Sequence, residues 1–105
     1  MKITEVKIYP ARESGTRLKA YATIVFGNAF IVRDLKVIEG EKGLFVSMPS
    51  RRRKDGSFRD IAHPLNGEMR KHIEDSIIAE YKSLEQSGKL HSVASADNDD
   101  YAFSA

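Results

Sequence analysis

The sequence predicts an α+β domain: an antiparallel sheet of about five strands, followed by one long amphipathic helix and a disordered C-terminal tail. Apolar and polar residues alternate with a period of two over much of the first half of the chain. Beyond Pro64 the apolar period becomes about 3.6 residues. Beyond Leu90 the residues are small, polar and acidic, with no period. We therefore expect one folded domain over residues 1–90 and a flexible acidic tail over residues 91–105.

Five segments have the composition of β-strands, namely residues 2–9, 17–26, 29–38, 44–48 and 57–62. The second alternates most cleanly and predicts a half-buried strand. Gly27 and Asn28 follow it, and because both tolerate positive φ they predict a two-residue hairpin turn. In the third segment, strict alternation assigns the apolar residues to two opposite faces, Phe30, Val32 and Ile38 on one and Ile31, Leu35 and Val37 on the other.

The period near 3.6 predicts a helix over residues 67–86. Its apolar stripe consists of Met69, Ile73, Ile77, Tyr81 and Leu84. Asn66 is a favourable N-cap residue, and Glu68 suits the positive end of the helix dipole. Gly88 predicts the end of the helix.

Composition limits the classes of function. The chain has no cysteine, which excludes disulfides, thiol catalysis and cysteine-bound zinc. It also has no apolar stretch of about 18 residues and no signal-peptide pattern, so we expect a cytosolic protein. Up to Leu90 the chain holds 17 Lys and Arg residues against 12 acidic residues, whereas residues 91–105 carry three Asp residues and no Lys or Arg. A basic body suggests an anionic partner such as nucleic acid.

A cluster of cations lies between positions 51 and 71. Its members are Arg51, Arg52, Arg53, Lys54, Arg59, Arg70 and Lys71, and only three acidic residues accompany them. Adjacent like charges repel, and arginine favours planar, bidentate contact with phosphate. The cluster therefore suggests a binding site for nucleic acid. The alternative is a solvated hairpin tip whose charges discourage aggregation between strands.

Residues for catalysis or metal binding form no recognised pattern. Asp60 and His63 have no serine, cysteine or second carboxylate fixed nearby by spacing, and His63, His72 and His91 do not have metal-ligand spacing. We expect no enzyme activity, no cofactor, no metal and no small-molecule substrate. Six aromatic residues could stack on bases, namely Tyr9, Tyr21, Phe26, Phe30, Phe45 and Phe58. We expect core packing to explain most of these six.

The segment FIVRDLKVIEGEKGLFVSMPSRRRKDGSFRDIAHPLN, residues 30–66, resembles the SpoVG family, the stage V sporulation protein G or septation regulators of bacteria. The similarity extends less sharply from Lys2 to about Leu84. It implies a small cytosolic dimer with a sheet-plus-helix fold, which regulates gene expression, septation and sporulation by binding DNA and, in some members, RNA. The resemblance makes nucleic-acid contact the preferred interpretation of the basic cluster.

The resemblance also implies which residues contact nucleic acid. In the family, the basic segment before the Asp-Gly turn and the start of the helix are implicated in nucleic-acid contact, and they correspond here to Arg51, Arg52, Arg53, Lys54, Arg70 and Lys71. The unbroken R-R-R-K departs from the family, whose members usually have fewer cations there and often a proline. Sequence preference therefore stays open.

The sequence also leads us to expect a homodimer and leaves a second function open. Free strand edges, and apolar residues on both faces of residues 30–38, predict a homodimer that pairs through strand edges or an apolar sheet face. The alternative function is a protein-interaction module of the division machinery, whose basic surface binds an acidic protein. The acidic tail could fold back onto the basic run and compete with phosphate.

Overall fold

The computed structural model describes residues 2–11 and 16–88, which form six strands and one helix. In chain order these are β1 (Ile3–Pro10), β2 (Leu18–Phe26), β3 (Phe30–Gly40), β4 (Gly43–Ser47), β5 (Ser50–Arg52), β6 (Phe58–Asp60) and α1 (Gly67–Gln86). The predicted acidic tail, residues 91–105, and the boundary at residue 90 lie outside the described residues.

Strands β1 to β4 form one antiparallel sheet in the order β1-β2-β3-β4, and β5 pairs with β6 in a separate two-stranded sheet. The α+β fold predicted from the sequence is confirmed. Gly27 and Asn28 have φ values of 56° and 54° between β2 and β3, so the predicted hairpin turn is confirmed as well. The fifth predicted strand is shorter than expected, and it pairs with the basic run rather than with the main sheet.

A bulge changes which face of β3 is buried. Ala22 and Ile24 of β2 pair with Leu35 and Val32 of β3, so three steps along β3 match two steps along β2. Asp34 takes up the extra residue with a φ of 64°. Val32 and Leu35 therefore both pack into the core. The prediction that they lie on opposite faces is wrong, because strict alternation does not account for an inserted residue.

Helix α1 packs on the sheet and contacts β1, β2 and β4. Four of the five predicted stripe residues are confirmed, because Ile73, Ile77 and Tyr81 are buried in the core and Met69 packs against it. The Glu74 carboxylate also accepts a hydrogen bond of 3.4 Å from the backbone N–H of Val46, which ties the helix to β4.

Both ends of the helix are capped as predicted. The Asn66 side chain accepts a hydrogen bond of 2.7 Å from the backbone N–H of Met69. After the last turn, Gly88 has a φ of 75° and its N–H bonds to the carbonyl of Glu85 at 3.3 Å. The N-cap fixes where the helix starts, and so it fixes the positions of Arg70 and Lys71 in the first two turns. Across the described part of the chain, no helix is long and apolar enough to span a membrane.

Candidate nucleic-acid interface

The basic run folds into a hairpin, which we call the basic hairpin and define as residues 50–60. The backbone N–H of Arg53 bonds to the carbonyl of Ser57 at 2.7 Å, and Gly56 bonds back to Arg53 at 3.0 Å. Gly56 has a φ of 91°, which favours glycine. Asp55 accepts bonds from the Ser57 hydroxyl at 2.6 Å and from its N–H at 2.9 Å.

These bonds hold the pKa of Asp55 below its usual value, the contact with the Ser57 hydroxyl being the largest cause. Asp55 therefore stays ionised at neutral pH, and its carboxylate is held by the two hydrogen bonds from Ser57. Arg51 and Arg52 lie in strand β5, and Arg53 and Lys54 lie in the turn that follows. The backbone of the hairpin therefore orders the R-R-R-K run.

Pairing within the hairpin brings like charges together. Arg51 lies directly opposite Arg59, and Arg52 lies opposite Phe58. Residues directly opposite each other in an antiparallel pair project to the same side, so one side carries two arginines and the other an arginine beside an aromatic ring. Like charges directly opposite are destabilising. The hairpin therefore assembles positive charge at a cost to its own stability.

Acidic residues do not neutralise most of the cluster. Within residues 2–11 and 16–88, no salt bridge involves six of the seven predicted cations, namely Arg51, Arg52, Arg53, Lys54, Arg59 and Arg70. All six are exposed. The seventh, Lys71, pairs with Asp75 at 3.0 Å on its own helix. Lys71 thus differs from the other six cations, because its charge is already paired within the helix.

A shallow depression joins the hairpin to the helix. It has a volume of about 420 Å³ and is lined by Phe58, Arg59, Asp60, His63 and Arg70. The structure therefore brings together Arg59 and Arg70, which are eleven positions apart in the sequence. Sequence reasoning did not assign Phe58 or His63 to this site. A single aromatic residue among charged and polar ones was the available signal for Phe58, but its neighbours in space could not be read from the chain.

The aromatic residues differ from expectation. Tyr9 and Phe26 are buried, whereas Phe30, Phe45 and Phe58 are exposed by 65%, 43% and 69%. The interpretation that core packing explains most of the six is therefore wrong. Aromatic rings remain accessible both on the main sheet and on the basic hairpin.

An apolar cleft of about 150 Å³ lies beside the depression and shares His63 with it. Phe30, Met48, Pro64 and Met69 are among its lining residues. The His63 Nδ1 atom lies 3.0 Å from the Pro64 carbonyl oxygen. Among the described residues, no group of three or more His, Cys, Asp or Glu could hold a metal ion. His91 lies outside the described part of the chain.

Comparison with known proteins identifies the family. The SpoVG family model matches residues 1–83. A protein of Bdellovibrio bacteriovorus named "Putative septation protein SpoVG" is 60% identical over 90 residues, which cover 85% of this chain and 82% of that protein. A protein of the same name from Archaeoglobus fulgidus is 54% identical over 84 residues, covering 80% of this chain and 98% of its own length.

The matched region runs from β1 into the last turns of α1, so it contains the main sheet, the basic hairpin and most of the helix. The match covers well over half of the chain. The chain therefore belongs to the SpoVG family.

Proposed function

We propose that this protein is a non-enzymatic, cytoplasmic regulator that binds DNA, and also RNA, through the basic hairpin and the start of α1. One observation supports this most strongly: the basic hairpin and the first turn of α1 carry six exposed cations that form no salt bridge to any described residue. Packing Arg51 against Arg59 costs stability in the free protein. An anion that bridges these charges would offset that cost.

Phosphate is the anion that best fits the composition of the cluster. Five of the six cations are arginine, whose planar guanidinium binds phosphate through two parallel hydrogen bonds. Such contacts give affinity and orientation but carry little sequence information. We therefore expect modest specificity, with base reading limited to a few side chains or to the shape of the nucleic acid.

The biological role that we propose is the regulation of septation, with effects on gene expression and on sporulation in organisms that sporulate. The names of the relatives support the link to septation. The runner-up function is a protein-interaction module of the division machinery that binds an acidic protein. Exposed apolar side chains near the hairpin, Ile61 and Leu65, would suit a protein partner and keep this alternative open.

We further propose that the protein acts as a homodimer. Exposed Phe30 and Ile31 at the start of β3, together with the apolar cleft, leave apolar surface that a second copy could cover. Two basic hairpins on one body would bind one nucleic acid with a raised effective concentration. Light scattering tests this: we expect twice the 11.8 kDa of one chain, and a monomeric mass with full affinity would contradict the proposal.

A salt series tests the proposed nucleic-acid contact. We expect the variant with Arg51, Arg52, Arg53 and Lys54 all changed to Ala to bind a labelled duplex more weakly, because it loses phosphate contacts. Each lost contact also flattens the slope of log K against log salt by about one unit. A loss of about two to four units is the expected result. Circular dichroism should show an intact fold, since the four side chains are exposed.

A matched control removes four exposed cations elsewhere, namely Lys2, Arg17, Lys42 and Lys82. It changes net charge by the same amount but leaves the basic hairpin intact. If the control flattens the slope as much as the hairpin variant does, general electrostatic attraction explains the binding and the proposed site is wrong. If the wild-type protein binds neither DNA nor RNA at low salt, the protein-interaction alternative gains support.

A further inference from the structure

Phe58 occupies an unusual position for a large apolar side chain. It lies in the middle of the cationic cluster, it is 69% exposed, and its cross-strand neighbour is Arg52. Exposing this much aromatic surface forgoes hydrophobic stabilisation. Phe58 also lines the depression of about 420 Å³ with Arg59 and Arg70. The depression is thus lined by an exposed aromatic residue and by two arginines, one on the hairpin and one on the helix.

This combination suits an unpaired nucleotide. A base stacks on an aromatic ring through its π-face, while guanidinium groups bind the flanking phosphates. In a duplex both faces of each base are covered by neighbouring bases, so only an unpaired base can reach the ring. The depression is open, and its volume of about 420 Å³ leaves room for one nucleotide to lie against its lining residues.

The remaining lining residues provide acceptors for the edge of a base. When the His63 ring is neutral, a bond from its Nδ1–H to the Pro64 carbonyl at 3.0 Å leaves Nε2 as an acceptor. The Asp60 carboxylate, which would repel phosphate, accepts hydrogen bonds from base N–H groups. The arginines therefore suit the phosphates and the two acceptors suit the base.

We infer that this depression binds an unpaired nucleotide of single-stranded nucleic acid, with the base stacked on Phe58 and the flanking phosphates bound by Arg59 and Arg70. This inference rests on the proposed function and narrows its ligand from nucleic acid in general to single strands or unpaired regions. DNA and RNA share the base and phosphate chemistry on which it depends.

The first test measures the contribution of the base. Wild-type protein is titrated with a thymidine 12-mer and with a 12-mer of the same backbone that lacks bases. We expect the thymidine strand to bind about 5-fold to 150-fold more tightly, which is the range for stacking one base on an aromatic side chain. Phe58→Leu should remove this difference. The matched control Phe45→Leu, at an exposed aromatic on β4, should preserve it.

The second test detects stacking directly. The chain contains no tryptophan, so Phe58→Trp introduces a single tryptophan, whose emission can be excited apart from that of the four tyrosines. The thymidine 12-mer should quench its emission, whereas the abasic strand should bind without quenching. A uridine 12-mer provides the RNA arm: base-dependent quenching in either sugar series supports the inference, and its absence from both overturns it.

The outcomes separate this inference from the function on which it rests. Equal affinity of wild-type protein for the thymidine and abasic strands, with steep salt dependence for both, would overturn base stacking and leave phosphate binding intact. Failure of every strand and duplex to bind would overturn the proposed function itself. If Phe58→Leu weakens binding to a 12-base-pair duplex as much as binding to the thymidine strand, Phe58 does not select unpaired bases and the inference is wrong.

Discussion

Arg59→Gln should make the free protein more stable while it weakens nucleic-acid binding. Arg59 lies directly opposite Arg51, and neither forms a salt bridge within the described part of the chain. Glutamine keeps most of the length and hydrogen-bonding capacity of the side chain but removes its charge. The change therefore isolates the repulsion between the two strands.

The size of the effect follows from Coulomb's law. Two guanidinium groups on opposite residues can separate to about 8 Å, where unit charges in water repel by roughly 0.5 kcal/mol. At about 0.01 M salt the Debye length of roughly 30 Å leaves most of this repulsion, whereas about 1 M salt removes it. For a domain of this size, 0.5 kcal/mol corresponds to a rise in Tm of about 2–4 °C.

The assay is thermal unfolding followed by circular dichroism at low and at high salt, without nucleic acid. We expect the Tm of Arg59→Gln to exceed that of the wild-type protein at low salt and to match it at high salt. Affinity for the thymidine 12-mer, measured on the same samples, should fall. A variant that is more stable alone and weaker in binding would show that the charge cluster is maintained for the ligand.

Lys71→Gln is the matched control, because Lys71 is also an exposed cation near the site but pairs with Asp75 at 3.0 Å. Its loss should lower stability by about 0.3–0.5 kcal/mol at low salt. The two variants are thus expected to move Tm in opposite directions. If Arg59→Gln lowers Tm at low salt, or leaves it unchanged there, the argument from cross-strand repulsion is refuted.

Three further predictions concern the core, pH and the tail. Ile77→Ala should lower the free energy of unfolding by about 2–5 kcal/mol in a urea titration, because this side chain is fully buried; a loss below about 1 kcal/mol would contradict the packing described. The pKa of Asp55 is lowered in the folded state, so its contribution to stability is complete above about pH 4 and is lost as the pH falls through the folded-state pKa. Asp55→Asn should therefore show a smaller loss of stability on acidification than the wild-type protein, and identical acid transitions would refute this. Truncation after Leu90 should tighten nucleic-acid binding at low salt and have little effect at high salt, whereas equal affinities at low salt would exclude tail competition.

The sequence predicts those parts of the fold that depend on local signals. The turn at Gly27 requires only residues that accept positive φ, and the helix requires only its apolar period and its caps. The bulge at Asp34 depends on how many residues β2 places opposite β3, which a single strand does not record. Strand β5 was missed for a different reason: Ser50–Arg52 has no apolar residue, so alternation gave no signal.

The candidate site likewise combines features that the sequence alone predicts with features that depend on the fold. The cations of the run are adjacent in the sequence, so their clustering needs no knowledge of the fold. The proximity of Arg70 to Arg59 depends on how the hairpin meets the helix. The environment of Lys71 also depends on geometry, because Asp75 lies one helical turn away and can pair with it. Burial of most of the six aromatic residues was expected because large apolar residues are usually internal, and the short hairpin instead leaves Phe58 uncovered.

The basic hairpin has hydrogen bonds of its own and is closed at its base by one bond, from the Ile61 N–H to the Pro49 carbonyl at 2.8 Å. The core of the domain is formed by the main sheet and α1. Residues 50–60 could therefore be exchanged between relatives without rebuilding the domain. In such chimeras, ligand preference should follow the transplanted hairpin while thermal stability follows the host. Evolution could retune the choice of nucleic acid in this way by altering eleven contiguous residues.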